Sequence, residues 1–186
     1  MKGKRVMIFI DGSNFYHSVK DTWTFEDADI DFKRLIAELV RKRHLISVKY
    51  YNAALDRGKN LEKYKKQQIF FSELRKIPGF EVHLVKMRKH IEKGKVCYKV
   101  KGDDILIATD MLSGAYENSY DVAILVSGDG DFVPVIKKVQ MMGKRVENAF
   151  FKISSSNYLK MVCNESVPLN EIMEDFLNDK NKPSVA

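Results

Sequence analysis

The stretch Asp121–Phe132, DVAILVSGDGDF, constrains the fold more than any other part of the chain. Its apolar run, Val122–Val126, does not alternate with polar residues. A half-exposed strand would alternate, so this run reads as a strand buried on both faces. It stops abruptly at Ser127-Gly128-Asp129-Gly130-Asp131. Strands of this kind belong to parallel sheets with helices on both faces, and ligands there gather outside the carboxyl ends of the strands. Two carboxylates one residue apart, between glycines that let backbone come close, suit a hard cation. The same residues also suit an acidic turn in which Asp131 caps the helix that follows.

The rest of the chain repeats the design. Arg5–Ile10 is a second buried strand, ending in Asp11-Gly12-Ser13-Asn14, with a short helix after it. Asp31 reads as the N-cap of a helix over Phe32–Lys42, whose apolar residues recur at helical spacing. Leu45–Leu55 is the second strand. A long helix runs from Leu61 to Ile77 and stops at Pro78-Gly79. Phe80–Met87 is the third strand, followed by a basic loop, Arg88–Lys95, and a short strand, Val96–Val100, placed to pair back as a hairpin. A helix opens at Asp103-Asp104, and Asp121–Val126 is the fourth strand. Phe132–Met142 is helical and Arg145–Phe151 is the fifth strand. Helices after Ser154-Ser155-Ser156 and over Leu169–Leu177 complete the pattern. Strands alternating with helices predict an α/β fold with a parallel sheet. A single domain over 1–178 is expected, with a frayed tail at 179–186.

Right-handed crossovers bring the strand tips to one edge of such a sheet. Asp11 lies after the first strand, and Asp129 and Asp131 after the fourth. Asp103 and Asp104 open the helix before the fourth strand. If the first and fourth strands are neighbours, all five acids converge on one cleft. Asp110, six residues after Asp104, is expected on roughly the same helix face, but deeper. Clustered carboxylates repel one another unless a cation neutralises them. The ligands are all oxygen, so Mg²⁺ or Mn²⁺ is the expected ion. Such an ion keeps several waters, binds phosphate oxygens and lowers the pKa of an attacking water. Lys101 stands ready to pair with a phosphate, and Asn14 and Ser127 to orient the acids; plain surface and turn roles also suit all three.

Composition narrows the classes. The chain has 186 residues and carries a net charge of +7, which favours polyanionic partners or simple solubility. Basic residues concentrate in the middle, and Tyr16, Trp23 and Phe25 near the first acid suit either base stacking or a core. Cys97 and Cys163 form no metal-binding pair and read as reduced core thiols. No apolar run approaches the ~18 residues of a membrane span, so a cytoplasmic protein with no membrane association is expected. A haloacid-dehalogenase-like phosphatase would want a second acid two residues after Asp11, a position held by Ser13. The acids of a response-regulator receiver and the Gly-rich loop of a P-loop NTPase are missing as well.

The segments VMIFIDGSN (6–14), KGDD (101–104) followed by Asp110, and SGDGDF (127–132) together resemble the NYN domain, in its LabA-like bacterial branch. The resemblance runs from about Val6 to Leu177. It implies a PIN-like α/β/α sandwich with central parallel strands in the order 3-2-1-4-5, a Mg²⁺ or Mn²⁺ site, and hydrolysis of RNA phosphodiesters. By position, Asp11, Asp104, Asp129 and Asp131 match the family's acids. Asp103 occupies a position that is often apolar in the family, and so counts as an extra acid. A metal-dependent endoribonuclease acting on single-stranded RNA is the expectation, possible as a homodimer because such domains often pair. The alternative is a non-catalytic RNA- or protein-binding module on the same fold.

Overall fold

A computed structural model describes residues 3–22, 30–92, 95–100 and 102–171, with 86–92 and 95–100 described at the level of the backbone. In chain order the elements are β1 (Arg5–Asp11), α1 (Gly12–Thr22), α2 (Phe32–Val40), β2 (His44–Ala54), α3 (Leu61–Arg75), β3 (Phe80–Glu92), β4 (Lys95–Val100) and α4 (Asp103–Tyr116). They continue with β5 (Val122–Val126), α5 (Val133–Met141), β6 (Arg145–Phe150), α6 (Asn157–Val162) and β7 (Glu165–Pro168). The sheet order is β4-β3-β2-β1-β5-β6-β7. All pairings from β3 to β7 are parallel; the β3–β4 pairing is antiparallel. Without the hairpin strand β4, the expected order 3-2-1-4-5 holds and gains a sixth parallel strand.

The alternation of side chains along β1 separates two cores. Val6, Ile8 and Ile10 point to one face, where they meet Phe15 and Val19 of α1, Leu35 and Leu39 of α2, and Phe71 and Leu74 of α3. Met7 and Phe9 point to the other, against Ile107 and Met111 of α4, Ile136 and Val139 of α5, and Leu159 of α6. The result is the three-layer α/β/α sandwich. Each fully buried Leu, Ile or Phe contributes about 1.5–3 kcal/mol, so the doubly covered central strands dominate the stability. Asp31 caps α2 as expected, accepting from the N–H groups of Lys33 and Arg34. Among the described residues no helix is long and apolar enough to cross a membrane.

The chain first steps outward from β1 to β2 and β3 with its helices on one face. It then returns to the other side of β1 and steps outward through β5, β6 and β7 with its helices on the opposite face. The crossovers have one hand, so reversing the direction of travel reverses the covered face. The switch point therefore lies between β1 and β5.

Three expectations need correction. Arg88–Glu92 is strand, so the basic segment is mostly hairpin and only 93–94 separate its two arms. The sequence signals no element between the last two helices, where the structure places β7; it is four residues long, partly exposed and ends in Pro168, which an edge strand tolerates. Asp129, not Asp131, caps the turn after β5, because its side chain accepts from the Asp131 N–H. Lys101, Trp23, Phe25 and the tail beyond 171 lie outside the described residues.

Candidate active site at the switch point

β1 pairs with β5 up to Ile10 and Val126, so Asp11 and Ser127 are the next residues at the carboxyl edge. The Ser127 hydroxyl donates to Asp11 Oδ2 at 3.0 Å. The Asn14 N–H donates to Asp11 Oδ1 at 2.9 Å. Asn14 Oδ1 accepts from the Gly128 N–H at 3.0 Å, and Ser127 Oγ accepts from the Asp129 N–H at 3.1 Å. Asn14 and Ser127 thus lock the tip of β1 to the tip of β5. Asp11 is fixed by both and is only 4% exposed.

The β5 loop is itself held from behind. Asn148, in β6, donates from Nδ2 to the carbonyls of Leu125 and Ser127, at 3.1 and 2.8 Å. The Ser156 N–H donates to the Gly128 carbonyl at 2.9 Å. A Cβ on Gly128 would stand 2.0 Å from the Ser154 carbonyl oxygen, so only glycine allows the two loops to touch. Sequence reasoning missed Asn148 and the Ser154–Ser156 contact. Neither has a local signal, because both depend on which strands are neighbours.

The second group of acids comes from α4. Gly102, at φ +101°, makes the left-handed turn that starts the helix, and it places Asp103 and Asp104 in the first turn. Asp103 is buried and Asp104 is exposed. The extra acid of the sequence is therefore the more enclosed of the two. Burial pushes the Asp11 carboxyl up to about 6, against the hydrogen bonds from Asn14 and Ser127 and helped by the charges of Asp104 and Asp103. Desolvation also raises Asp104 to about 6, reinforced by Asp103, Asp129 and Asp131. The structure thus gathers the five acids into one electrostatic neighbourhood, in which the charges acting most strongly on Asp104 are all negative.

Asp110 does not belong to this group. Six residues at about 100° each leave it roughly 120° around the helix from Asp104. There it accepts from the Tyr51 hydroxyl at 2.7 Å and from Lys49 Nζ at 2.9 Å. These bonds outweigh desolvation and hold its carboxyl below the usual range. Cys163 is a free, half-buried thiol pushed up to about 12 by burial, as expected of an inert core cysteine.

A cation would meet only oxygen donors here. Among the described residues no three His, Cys, Asp or Glu side chains stand close enough to enclose a metal by themselves. Mg²⁺ needs only one or two direct carboxylates and keeps waters in its other positions, so the donor set fits that ion or Mn²⁺.

A six-stranded parallel sheet between two helical layers, with acids at its switch point, defines a PIN-like protein. The match is narrower still: the NYN domain model fits residues 5–170, and the chain belongs to the NYN domain family, within the PIN-like nuclease superfamily. Nucleases of this group generally use divalent metals. No curated protein matches the chain. Among solved structures it is similar to a protein of unknown function from Vibrio parahaemolyticus RIMD 2210633, with 26% identity and a TM-score of 0.75 over 95% of this chain and 97% of that one.

Proposed function

We propose that this protein is a divalent-metal-dependent endoribonuclease that cuts single-stranded RNA in the cytoplasm. The observation that carries the reading is the convergence of Asp11, Asp103, Asp104, Asp129 and Asp131 at the switch point, with Asp11 and Asp104 raised to about 6. A fold gains no stability from such crowding, so the crowding calls for a functional reason. Asp11, Asp104, Asp129 and Asp131 would hold Mg²⁺ or Mn²⁺, with Asp103 beside them. When bound, the ion supplies neutralising charge, a contact for a phosphate oxygen and a more nucleophilic water. The chain's own residues do the rest. Ser127 and Asn14 fix Asp11, the contact of Gly128 with Ser154 seats the loop that carries Asp129 and Asp131, and one of the carboxylates accepts the proton of the attacking water. Lys101, next to the acids in sequence, would pair with the phosphate.

The absence of a closed three-ligand cluster among the described residues gives some support to a non-catalytic RNA- or protein-binding module. One experiment separates the two readings. A labelled single-stranded RNA is incubated with wild type in Mn²⁺, Mg²⁺ or EDTA, alongside Asp129→Asn. The nuclease reading expects cleavage only with metal, reduced at least about 100-fold in the variant. Intact RNA in every lane, together with no heat on calorimetric titration with Mn²⁺, would move the assignment to the binding module.

A further inference from the structure

The 16 residues Lys86–Lys101 contain seven Lys or Arg and one Glu. Six of the chain's +7 net charges are thus concentrated here, and the rest of the protein is nearly neutral. The fold gives this segment a particular place. β2 and β3 pair up to Ala54 and Lys86, after which β3 continues alone and pairs only with β4, from Met87–Val100 to Glu92–Lys95. Asp11 is level with Tyr51, which is level with His83, so the ribbon leaves the sheet at the acid-bearing edge. Its six further residues, at ~3.3 Å each, carry it ~20 Å beyond β2. On its return only Lys101 and Gly102 separate β4 from Asp103.

The register also sorts the ribbon's residues. Arg88, His90 and Glu92, with their partners Lys99, Cys97 and Lys95, share one face. Met87, Lys89 and Ile91, with Val100, Tyr98 and Val96, share the other. The first face carries Arg88, Lys95 and Lys99 against a single Glu, and the other is apolar except for Lys89. A cluster of carboxylates repels the phosphates of any RNA brought to it, and a bound cation offsets that only locally. A polyanion held at this edge needs a source of positive charge within reach.

We propose that the β3–β4 ribbon is an arm that binds the phosphate backbone of the RNA flanking the cleavage site. The proposal rests on the nuclease reading for its substrate, and it adds a length requirement. The RNA must span from the acids to the arm, so short oligonucleotides lose the arm's contribution.

The test measures binding apart from cleavage. Ca²⁺ replaces Mn²⁺, and the affinity of wild type for a labelled RNA of about 20 nucleotides is followed across a salt series. The variant Arg88→Gln/Lys95→Gln/Lys99→Gln removes three charges from the basic face. The control Lys63→Gln/Lys65→Gln/Lys66→Gln removes three exposed charges from α3. The arm variant is expected to bind at least about tenfold more weakly and to flatten the salt slope by about 2, at ~0.7 per lost phosphate contact. The control should change both by much less. An oligomer of about four nucleotides, too short for an arm of ~20 Å, should not distinguish the arm variant from wild type. Photo-crosslinking of wild type to thiouridine-labelled RNA gives a readout independent of variant folding, with adducts expected within residues 86–101. Equal losses in both variants, an unchanged slope, or adducts only elsewhere would overturn the arm. A wild type that binds RNA through the arm but never cuts it would instead overturn the nuclease reading. A wild type that does not bind long RNA overturns the arm.

Discussion

Gly128 shows how a single residue sets the site. Its missing side chain lets the β5 loop rest on the 154–156 segment, and a Cβ there would meet the Ser154 carbonyl at 2.0 Å. That atom is backbone and cannot swing away, so Gly128→Ala must shift one loop. Gly130 makes a useful contrast. A Cβ there would meet the Ser156 hydroxyl at 3.0 Å, and a side chain can rotate. Thermal unfolding should rank the two, with Gly128→Ala lowering the midpoint by about 5–10 °C and Gly130→Ala by no more than about 2 °C. Equal midpoints would mean the loop contact has little effect on stability. At this scale the sequence reading reached the acids and their immediate hydrogen-bonding partners, because Asp11, Asn14 and Ser127 sit within a few residues of strand tips. It did not reach Asn148 or Ser154, which support the loop from 20 or more positions away. Nor could it tell that Asp103 is the buried member of its pair and Asp104 the exposed one, because burial cannot be read from an acidic pair at a helix start.

Most elements were legible, since burial on both faces leaves an apolar run and helices carry a 3.6-residue period. β7 was not, because a short edge strand buries too little to leave such a run. The hairpin was legible only in part: Arg88–Glu92 is polar and basic in sequence, and what makes it strand is its backbone pairing with Lys95–Lys99. The α4 N-terminus tests competing forces at the scale of an element. Carboxylates in a first turn gain from the helix dipole, typically about 0.3–1 kcal/mol. Desolvation and the charges of Asp103, Asp129 and Asp131 oppose this, and the rise of Asp104 to about 6 shows that they win. A carboxyl raised in the folded state is destabilising above its unfolded pKa, and the penalty is complete only above the folded value. Asp104→Asn should therefore raise the melting midpoint in EDTA by about 2 °C above pH ~6, with the gain vanishing below pH ~4. Added Mn²⁺ should stabilise wild type more than the variant. A variant less stable than wild type in EDTA at neutral pH would show that the helix dipole dominates.

At the scale of the whole molecule, the two ends of the strands treat their acidic side chains differently. Acids crowd at the carboxyl edge, while the opposite edge pairs its charges. Arg5 holds Asp121 at 2.8 Å, linking the starts of β1 and β5. Arg43 grips both oxygens of buried Glu147, which also accepts from Arg145, and Arg145 reaches Glu165. These pairs tie the α2–β2 turn to β6 and β7. Charges are thus paired at one edge and crowded at the other, a division that no local stretch of sequence reveals, because Arg5–Asp121 and Arg43–Glu147 join residues more than 100 positions apart. The two edges should respond to acid with opposite signs. Hydrogen bonds from the Arg5 side chain and backbone hold the Asp121 carboxyl down to about 2, so its ionised form is favoured in the fold. A depressed carboxyl stabilises above its unfolded pKa of ~3.9, and that contribution is lost as pH falls through the folded value. The pair is well exposed, so the effect is modest. Asp121→Asn should therefore be less stable than wild type by a constant margin from pH 7 to ~4, and the margin should close between ~4 and 2. Urea unfolding midpoints for the two proteins across that range decide it. A margin that persists at pH 2 would mean that shape, not charge, is what Asp121 contributes to the join between β1 and β5.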